Sequence, residues 1–330
     1  MTNSPRTAAD ELGVQQLRAF CVVYEKQSYA AAAAVLGLTV PTVWEQVRAV
    51  EKRYQSAFFV RRGRHIEATP AATLLFNALG PLLTGIDSTF QLVREQAGSY
   101  PQRLTLVTGV RMMLEELVSP IKQFCRDFPQ VSLRLLHGDD RTAEELVASG
   151  EADLALVLEP GPGVRKEGLC FQSAYEVAYL AILPRRHPLV EKAAPQLSDL
   201  LSWPLIVGHP GTSGRVLLEH ALHREGVLDR LRIAAETDNS AFTIACVRAG
   251  MGIGIVAGSV AGFLTSKLVC RSLSRQLGRA RIMFVCKQGR QLTLTIRGLM
   301  QCITTGCQKL ASSSVARAKR GATQKHDRDD

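Results

Sequence analysis

The stretch from Ser28 to Arg64, SYAAAAAVLGLTVPTVWEQVRAVEKRYQSAFFVRRGR, leaves the N-terminal part of this chain little freedom in how it can fold. Ser28 is a good N-cap for an alanine-rich helix over Tyr29 to Leu36, and Gly37 supplies a turn. Thr39 caps a second helix that tolerates Pro41 in its first turn, where a missing N–H costs nothing. Two short helices joined by so tight a turn form a helix-turn-helix pattern.

On the second helix Val43, Val47, Val50 and Tyr54 recur at spacings of three and four, marking the face turned inward. The opposite face carries Pro41, Glu45 and Arg48, flanked by Thr42 and Trp44. Small and polar groups near the start of such a helix are placed to reach base edges in a major groove. Trp44 admits two readings, a partly buried prop for the helix or an exposed ring lying against a thymine methyl or a sugar. Glu45 would accept from a cytosine amino group or deter wrong sites by repelling phosphates. Arg61, Arg62, Arg64 and His65 around Gly63 suit a basic hairpin touching the flanking phosphates. The candidate DNA contacts are therefore Thr39, Pro41, Thr42, Trp44, Glu45, Arg48, Arg61, Arg62 and Arg64.

A net charge of +10 on 330 residues suits a polyanionic partner, a weak hint that the helix-turn-helix strengthens. With 46% hydrophobic residues there is ample material for two or three buried cores. The eight cysteines contain no C-x-x-C pair and read as reduced, mostly buried small hydrophobes. The seven histidines are dispersed, with His220 and His223 the nearest approach to a ligand pair, so no metal, cofactor or catalytic set is expected. The opening residues lack a basic and an apolar region of export type, and no apolar run approaches the roughly 18 residues of a membrane span. The expected location is the cytoplasm, with no membrane partner.

Leu17, Phe20, Cys21 and Tyr24 predict a supporting first helix over Leu12 to Lys26. After Thr69-Pro70 a long helix carries Leu75, Leu79, Leu82, Ile86, Phe90 and Val93, with a kink or local break expected at Gly80-Pro81. That seam packs either on its own domain or in a coiled-coil-like dimer contact. Gly98-Ser99-Tyr100-Pro101 reads as a hinge. From Arg103 strands and helices alternate, the pattern of a parallel α/β sheet. Residues 311–330 are small and charged and read as a disordered tail.

Leu17, Phe20, Val23, Ser28-Tyr29, the alanine run, Leu36, Pro41, Val47, Glu51, Phe58-Phe59, Arg61 and Thr69-Pro70 together resemble the N-terminal domain of LysR-type transcriptional regulators. PIKQFCRDFPQVSLRL, LVASGEADLAL and VRAGMGIGIV resemble the effector domain of the same family, itself similar to periplasmic solute-binding proteins. The family usually has Gln where Val40 stands, Ser where Trp44 stands, and Gly near Gln55 and near Ala72, so its fold carries over further than its sequence preference. The resemblance implies a fold of class α/β with an N-terminal all-α winged helix-turn-helix and a two-lobed α/β effector domain. Its divisions would be a DNA-binding domain at 1–68, a dimerisation helix and hinge at 69–102, and an effector domain at 103–310. Lobe I would take 103–163 and 266–310, and lobe II 164–265. The implied partners are double-stranded DNA, a small-molecule effector, a second copy in a homodimer or homotetramer, and RNA polymerase.

Ligands of open α/β sheets bind beyond the carboxyl ends of the strands, at helix N-termini whose dipoles favour an anion. Thr108-Gly109, Thr212-Ser213 and Asn239-Ser240 stand at such places, and Arg111 and Arg215 are candidate carboxylate clamps. Ordinary helix capping by Ser213 and Ser240 and solvated arginines are the plainer alternatives; one shared cleft follows from the resemblance. The effector candidates are Thr108, Gly109, Arg111, Thr212, Ser213, Asn239 and Ser240. Gly250-Met251-Gly252-Ile253-Gly254 follows a helix and precedes a strand, the wrong order for a dinucleotide fingerprint, and reads as a packing turn. A ligand-responsive DNA-binding regulator is the expectation, against two rivals: a solute-binding module without a DNA role, and an enzyme with an unrecognised site.

Overall fold

The structure, a computed structural model, describes residues 12–63, 65–161, 165–259 and 262–326. It forms two compact units, one holding the residues up to Val93 with Lys287–Gln291, the other Arg94–Cys286 and the residues from Leu292.

In the first unit α1 spans Val14–Lys26, α2 Tyr29–Leu36 and α3 Val40–Tyr54. The Ser28 hydroxyl accepts from the Ala31 N–H at 3.2 Å and the Thr39 hydroxyl from the Thr42 N–H at 3.3 Å, so both helices begin on the side chains chosen to cap them. Gly37 ends α2 at φ 65°, where a side chain would be strained. Gln55 takes the same left-handed conformation at the end of α3, which explains why glycine is usual there in the family. β1 (Phe59–Arg62) and β2 (His65–Ala68) pair antiparallel as the basic hairpin.

The core of this unit is built on Phe20, whose ring lies 5.0 Å from that of Phe58 and 5.7 Å from that of Phe59. Ala32, Ala33, Val43, Val47 and Val50 close round it. Tyr54, expected inward, is 49% exposed; it stands in the last turn of α3, beyond the core edge, and meets the Phe58 ring edge-on. α4 (Pro70–Gln96) stays helical past Pro81, so of the kink or local break expected there the break does not occur. A proline inside a helix removes one backbone donor, and a long helix can absorb that loss. Leu75, Leu79 and Leu83 of α4 are buried, whereas Leu82, Ile86, Phe90 and Val93 are exposed.

In the second unit the chain runs β3 (Arg103–Thr108), α5 (Val110–Met112), a π turn (Met113–Leu117), α6 (Val118–Asp127), β4 (Ser132–His137), α7 (Asp140–Ser149) and β5 (Leu154–Leu158). Then follow β6 (Leu169–Pro184), α8 (Leu197–Leu200), β7 (Leu205–Gly208), α9 (Ser213–Arg224), β8 (Ile233–Thr237), α10 (Ser240–Arg248) and β9 (Ile253–Gly258). β10 (Leu268–Ser272), α11 (Ser274–Leu277), β11 (Arg279–Lys287) and α12 (Leu294–His326) complete it.

The sheet order is β4-β3-β5-β11-β6-β9-β7-β8, with β10 on β6. β3 is parallel to β4 and β5, and β7 to β8 and β9, while β11 and β6 run antiparallel to their outer neighbours. Two parallel βα sets are thus joined through two antiparallel strands, giving two lobes. β10 pairs with Leu180–Pro184 of β6, the part that also pairs with β9, so it belongs to the second lobe and not, as expected, to the first. The return crossing therefore comes with β11. α12 continues to His326, into the stretch read as a disordered tail; the alanines, lysines and arginines there are good helix formers. Of the eight cysteines only Cys21 and Cys307 are buried, and Cys125 and Cys170 are exposed, so most are less buried than expected. Among the described residues no single helix is long and apolar enough to cross a membrane.

Phe20→Ala is expected to destabilise the first unit by about 3–5 kcal/mol, and Tyr54→Ala by about 1 kcal/mol or less. Denaturant unfolding followed by circular dichroism measures both, and equal losses would contradict the placement of the core.

Candidate nucleic-acid interface and effector site

α3 buries Val43, Val47 and Val50 and turns Val40, Pro41, Trp44, Glu45 and Arg48 outward, with Thr42 half-buried. Trp44 is 46% exposed. Its ring carries the Arg48 guanidinium 5.0 Å from its centroid. Thr39 is occupied as the cap: its hydroxyl also lies 2.8 Å from that of Thr42, which supports the helix start without freeing a group for a base. On the hairpin, Arg61 donates to the Gly63 carbonyl at 3.1 Å and Arg62 pairs with Glu67 at 3.0 Å across β1 and β2. Both stay exposed, and Arg64 lies outside the described residues.

Glu51 was named above only for its place in the family pattern. It is 7% exposed, and its carboxylate accepts from the Phe58 N–H at 2.8 Å and the Phe59 N–H at 3.3 Å while pairing with Arg48 at 3.1 Å. One buried charge thus ties the recognition helix to the strand entering the hairpin. The signal available in the sequence was a carboxylate standing four residues after Val47, on the inward face.

In the second unit the three expected loops sit at the carboxyl edge of the strands, after β3, β7 and β8. Backbone bonds knit that edge together, Gly138 N–H to Thr108 C=O at 3.2 Å and His209 N–H to Thr237 C=O at 3.0 Å, and α10 packs on α5. The side chains there differ from expectation. Thr108 is fully buried and donates to the Leu156 carbonyl at 3.1 Å. Arg111 is buried, pairing with Glu116 at 2.5 Å and Glu115 at 3.8 Å, and Arg215 pairs with Glu219 at 2.5 Å and Glu236 at 3.0 Å. Neither arginine is a free clamp: a buried guanidinium is held by the nearest carboxylates, and these lie on its own or a neighbouring element. Burial works against the charge of Arg111, but Glu116 and Glu115 outweigh it and raise its pKa.

The caps fall one residue earlier than expected. Asn239 accepts from the Phe242 N–H at 3.0 Å, and Thr212 stands at the cap of α9 with its hydroxyl turned to the His209 carbonyl at 2.9 Å. Ser213 and Ser240 are the first helical residues, and the opening amides of α9 receive no side-chain cap from Thr212. Beside this edge Asp140, at the start of α7, accepts from the Leu158 N–H at 3.1 Å. Burial first, then Asp139 and Glu144, push its carboxyl up to about 6. Among the described residues no group of three His, Cys, Asp or Glu side chains is disposed to hold a metal.

A winged helix-turn-helix with an outward basic face, followed by a two-lobed α/β domain whose loops gather at one strand edge, defines a DNA-binding regulator with a ligand-sensing domain. The chain belongs to the LysR family. Residues 14–73 match the bacterial regulatory helix-turn-helix protein, lysR family, and residues 97–308 match the LysR substrate binding domain. The HTH-type transcriptional regulator CysB of Burkholderia cenocepacia is 25% identical over 227 residues, 68% of this chain and 71% of that protein. The HTH-type transcriptional regulator cbl of Escherichia coli is 27% identical over 237 residues, 71% and 73% of the two chains. A hydrogen-peroxide-bound cysteine-to-serine mutant of OxyR of Corynebacterium glutamicum shares the fold at a TM-score of 0.57 and 17% identity, over 93% of this chain and 96% of that one. Full-length CbnR complexed with its target DNA does so at 0.53 and 18%, over 88% and 99%. The protein is a LysR-type transcriptional regulator with an effector-binding domain, and its matched relatives are regulators rather than enzymes.

Two outcomes follow for Glu51 and the half-buried Asp140. Glu51→Ala should lower first-unit stability by about 2–4 kcal/mol, since two amides and a guanidinium lose their partner, while Glu51→Gln keeps the amide bonds and loses less. Asp140 has a raised pKa in the fold, so the stability it contributes is present at low pH and lost as pH rises through about 6. Asp140→Asn should flatten the pH 4–7 dependence of second-unit melting and match or exceed the parent at pH 7. A steeper dependence would contradict the assignment.

Proposed function

We propose that Pro41, Thr42 and Glu45 face the major groove, with Trp44 and Arg48 beside them at its edge and Arg61, Arg62 and Arg64 on the flanking phosphates. The exposed polar face of α3, backed by buried Val43, Val47 and Val50, carries this assignment. Thr39 serves by starting the helix. Two such heads, joined through the exposed Leu82, Ile86, Phe90 and Val93 of α4, would read half-sites about one helical turn apart or a multiple of it. The protein works inside the cell as a homodimer or homotetramer, with RNA polymerase as a further partner.

The effector is a small anion, held by the backbone of Gly109, the opening amides of α9 from Ser213 beside Thr212, and the polar groups of Asn239 and Ser240. Thr108 and Arg111 shape the site from within, their polar groups being spent on Leu156 and Glu116. Binding favours one assembly geometry by no more than its differential affinity for the two.

Arg61→Ala should weaken binding to every duplex by a similar factor, whereas Thr42→Ala and Glu45→Ala should shift base preference; the same selectivity profile for all three would overturn the division of roles. A thermal-shift panel of small anions with neutral isosteres tests the effector class. Stabilisation by anions alone, reduced by Ser213→Pro, is expected, and equal stabilisation by the neutral isosteres would refute it.

A further inference from the structure

Beside the outward face of α3 lies an open hollow of about 450 Å³ lined by Trp44, Arg48, Glu51, Lys52, Ser56 and Ala57. We propose that it seats one backbone phosphate of the bound DNA, gripped by Arg48 and Lys52, and that Trp44 is a positioning residue acting through Arg48. This rests on the DNA-facing assignment of α3 and adds a specific contact to it.

Trp44, Arg48 and Lys52 follow at intervals of four and share one helical face. Two cations and the Ser56 hydroxyl complement a phosphate, and the Trp44 ring offers an apolar wall to the attached deoxyribose. Glu51 also lines the hollow, yet the residue is 7% exposed and its carboxylate is spent on the Phe58 and Phe59 amides and on Arg48. A guanidinium has five donors, so the bond to Glu51 leaves others directed outward. Lys52 is exposed and forms no ion pair among the described residues.

Arg48 occupies one face of the indole, so that face offers no platform for an unstacked base. The ring and the Glu51 carboxylate hold the guanidinium from two sides, which lowers the entropy lost when it meets a phosphate. Trp44 therefore contributes chiefly by where it puts Arg48.

The test uses the full chain and two duplexes, one specific and one unrelated, titrated by fluorescence anisotropy from about 50 to 200 mM salt. Arg48→Ala and Lys52→Ala should each weaken both duplexes by the same factor, about 3–10-fold, and flatten the plot of log affinity against log salt by about one for each protomer engaged. Trp44→Ala should weaken both duplexes about 2–5-fold, add little to Arg48→Ala, and be largely rescued by Trp44→Phe, which keeps an aromatic face. Trp44 and Lys52 are exposed, so their variants should melt near the parent; Arg48→Ala removes the charge partner of buried Glu51 and should melt lower, so its affinities are measured well below its melting temperature.

If the parent binds with a steep salt dependence while Arg48→Ala and Lys52→Ala leave the slope unchanged, the phosphate seat is refuted and the DNA-facing assignment stands. If Trp44→Ala changes base preference or adds fully to Arg48→Ala, the positioning role is refuted. A parent without salt-dependent DNA binding overturns the assignment beneath both.

Discussion

The DNA-reading unit depends on one buried carboxylate. Glu51 sits where the inward face of α3 meets the strand that opens the hairpin, and it takes up the Phe58 and Phe59 amides that would otherwise be buried without partners. An uncompensated charge there would be costly, so its bond to Arg48 matters as much as its bonds to the backbone. The result couples three things usually described apart. The hydrophobic core around Phe20 fixes Phe58, Phe58 fixes Glu51, and Glu51 fixes the outward Arg48.

The second unit uses buried charge in the opposite sense. Arg111 and Arg215 stand near strand ends where a ligand-clamping arginine would be useful, but each is consumed by carboxylates of the protein. Around Arg111 the π turn brings Glu115 and Glu116 within reach, Tyr175 donates to Glu116 at 2.7 Å, and the Leu264 N–H donates to Glu115 at 3.0 Å. Gly262 approaches the Glu115 carboxylate so closely that a Cβ there would collide with it. Charges in this arrangement fix the start of the first lobe against the loop after β9.

Local chemistry was the legible part of the sequence. Ser28, Gly37 and Thr39 each carried their own structural signal, and all three act where the residue types demanded. The alternation from Arg103 onward gave most strands and helices of the α/β domain for the same reason. Long-range choices were not legible. Nothing local distinguishes an arginine that points to solvent from one that finds Glu116 after a π turn, and nothing in the composition of β10 says which half of β6 it will pair with. Tyr54 shows the limit within a single helix: periodicity gave the correct stripe and could not say where the core stops.

α4 shows the same limit with a functional consequence. Its apolar residues form one seam in sequence, yet the seam divides in space, with Leu75, Leu79 and Leu83 buried and Leu82, Ile86, Phe90 and Val93 open. Buried residues need only their own core, whereas a run of open apolar side chains at helical spacing is a contact surface awaiting a partner. A second copy satisfies that need most simply, because a two-fold axis lets the same stripe serve as both halves of the interface. The same axis would set two recognition helices at a fixed separation, matching the symmetry of a palindromic site. Side chains that look like a flaw in a single chain are thus what would let two weak DNA-binding heads act as one.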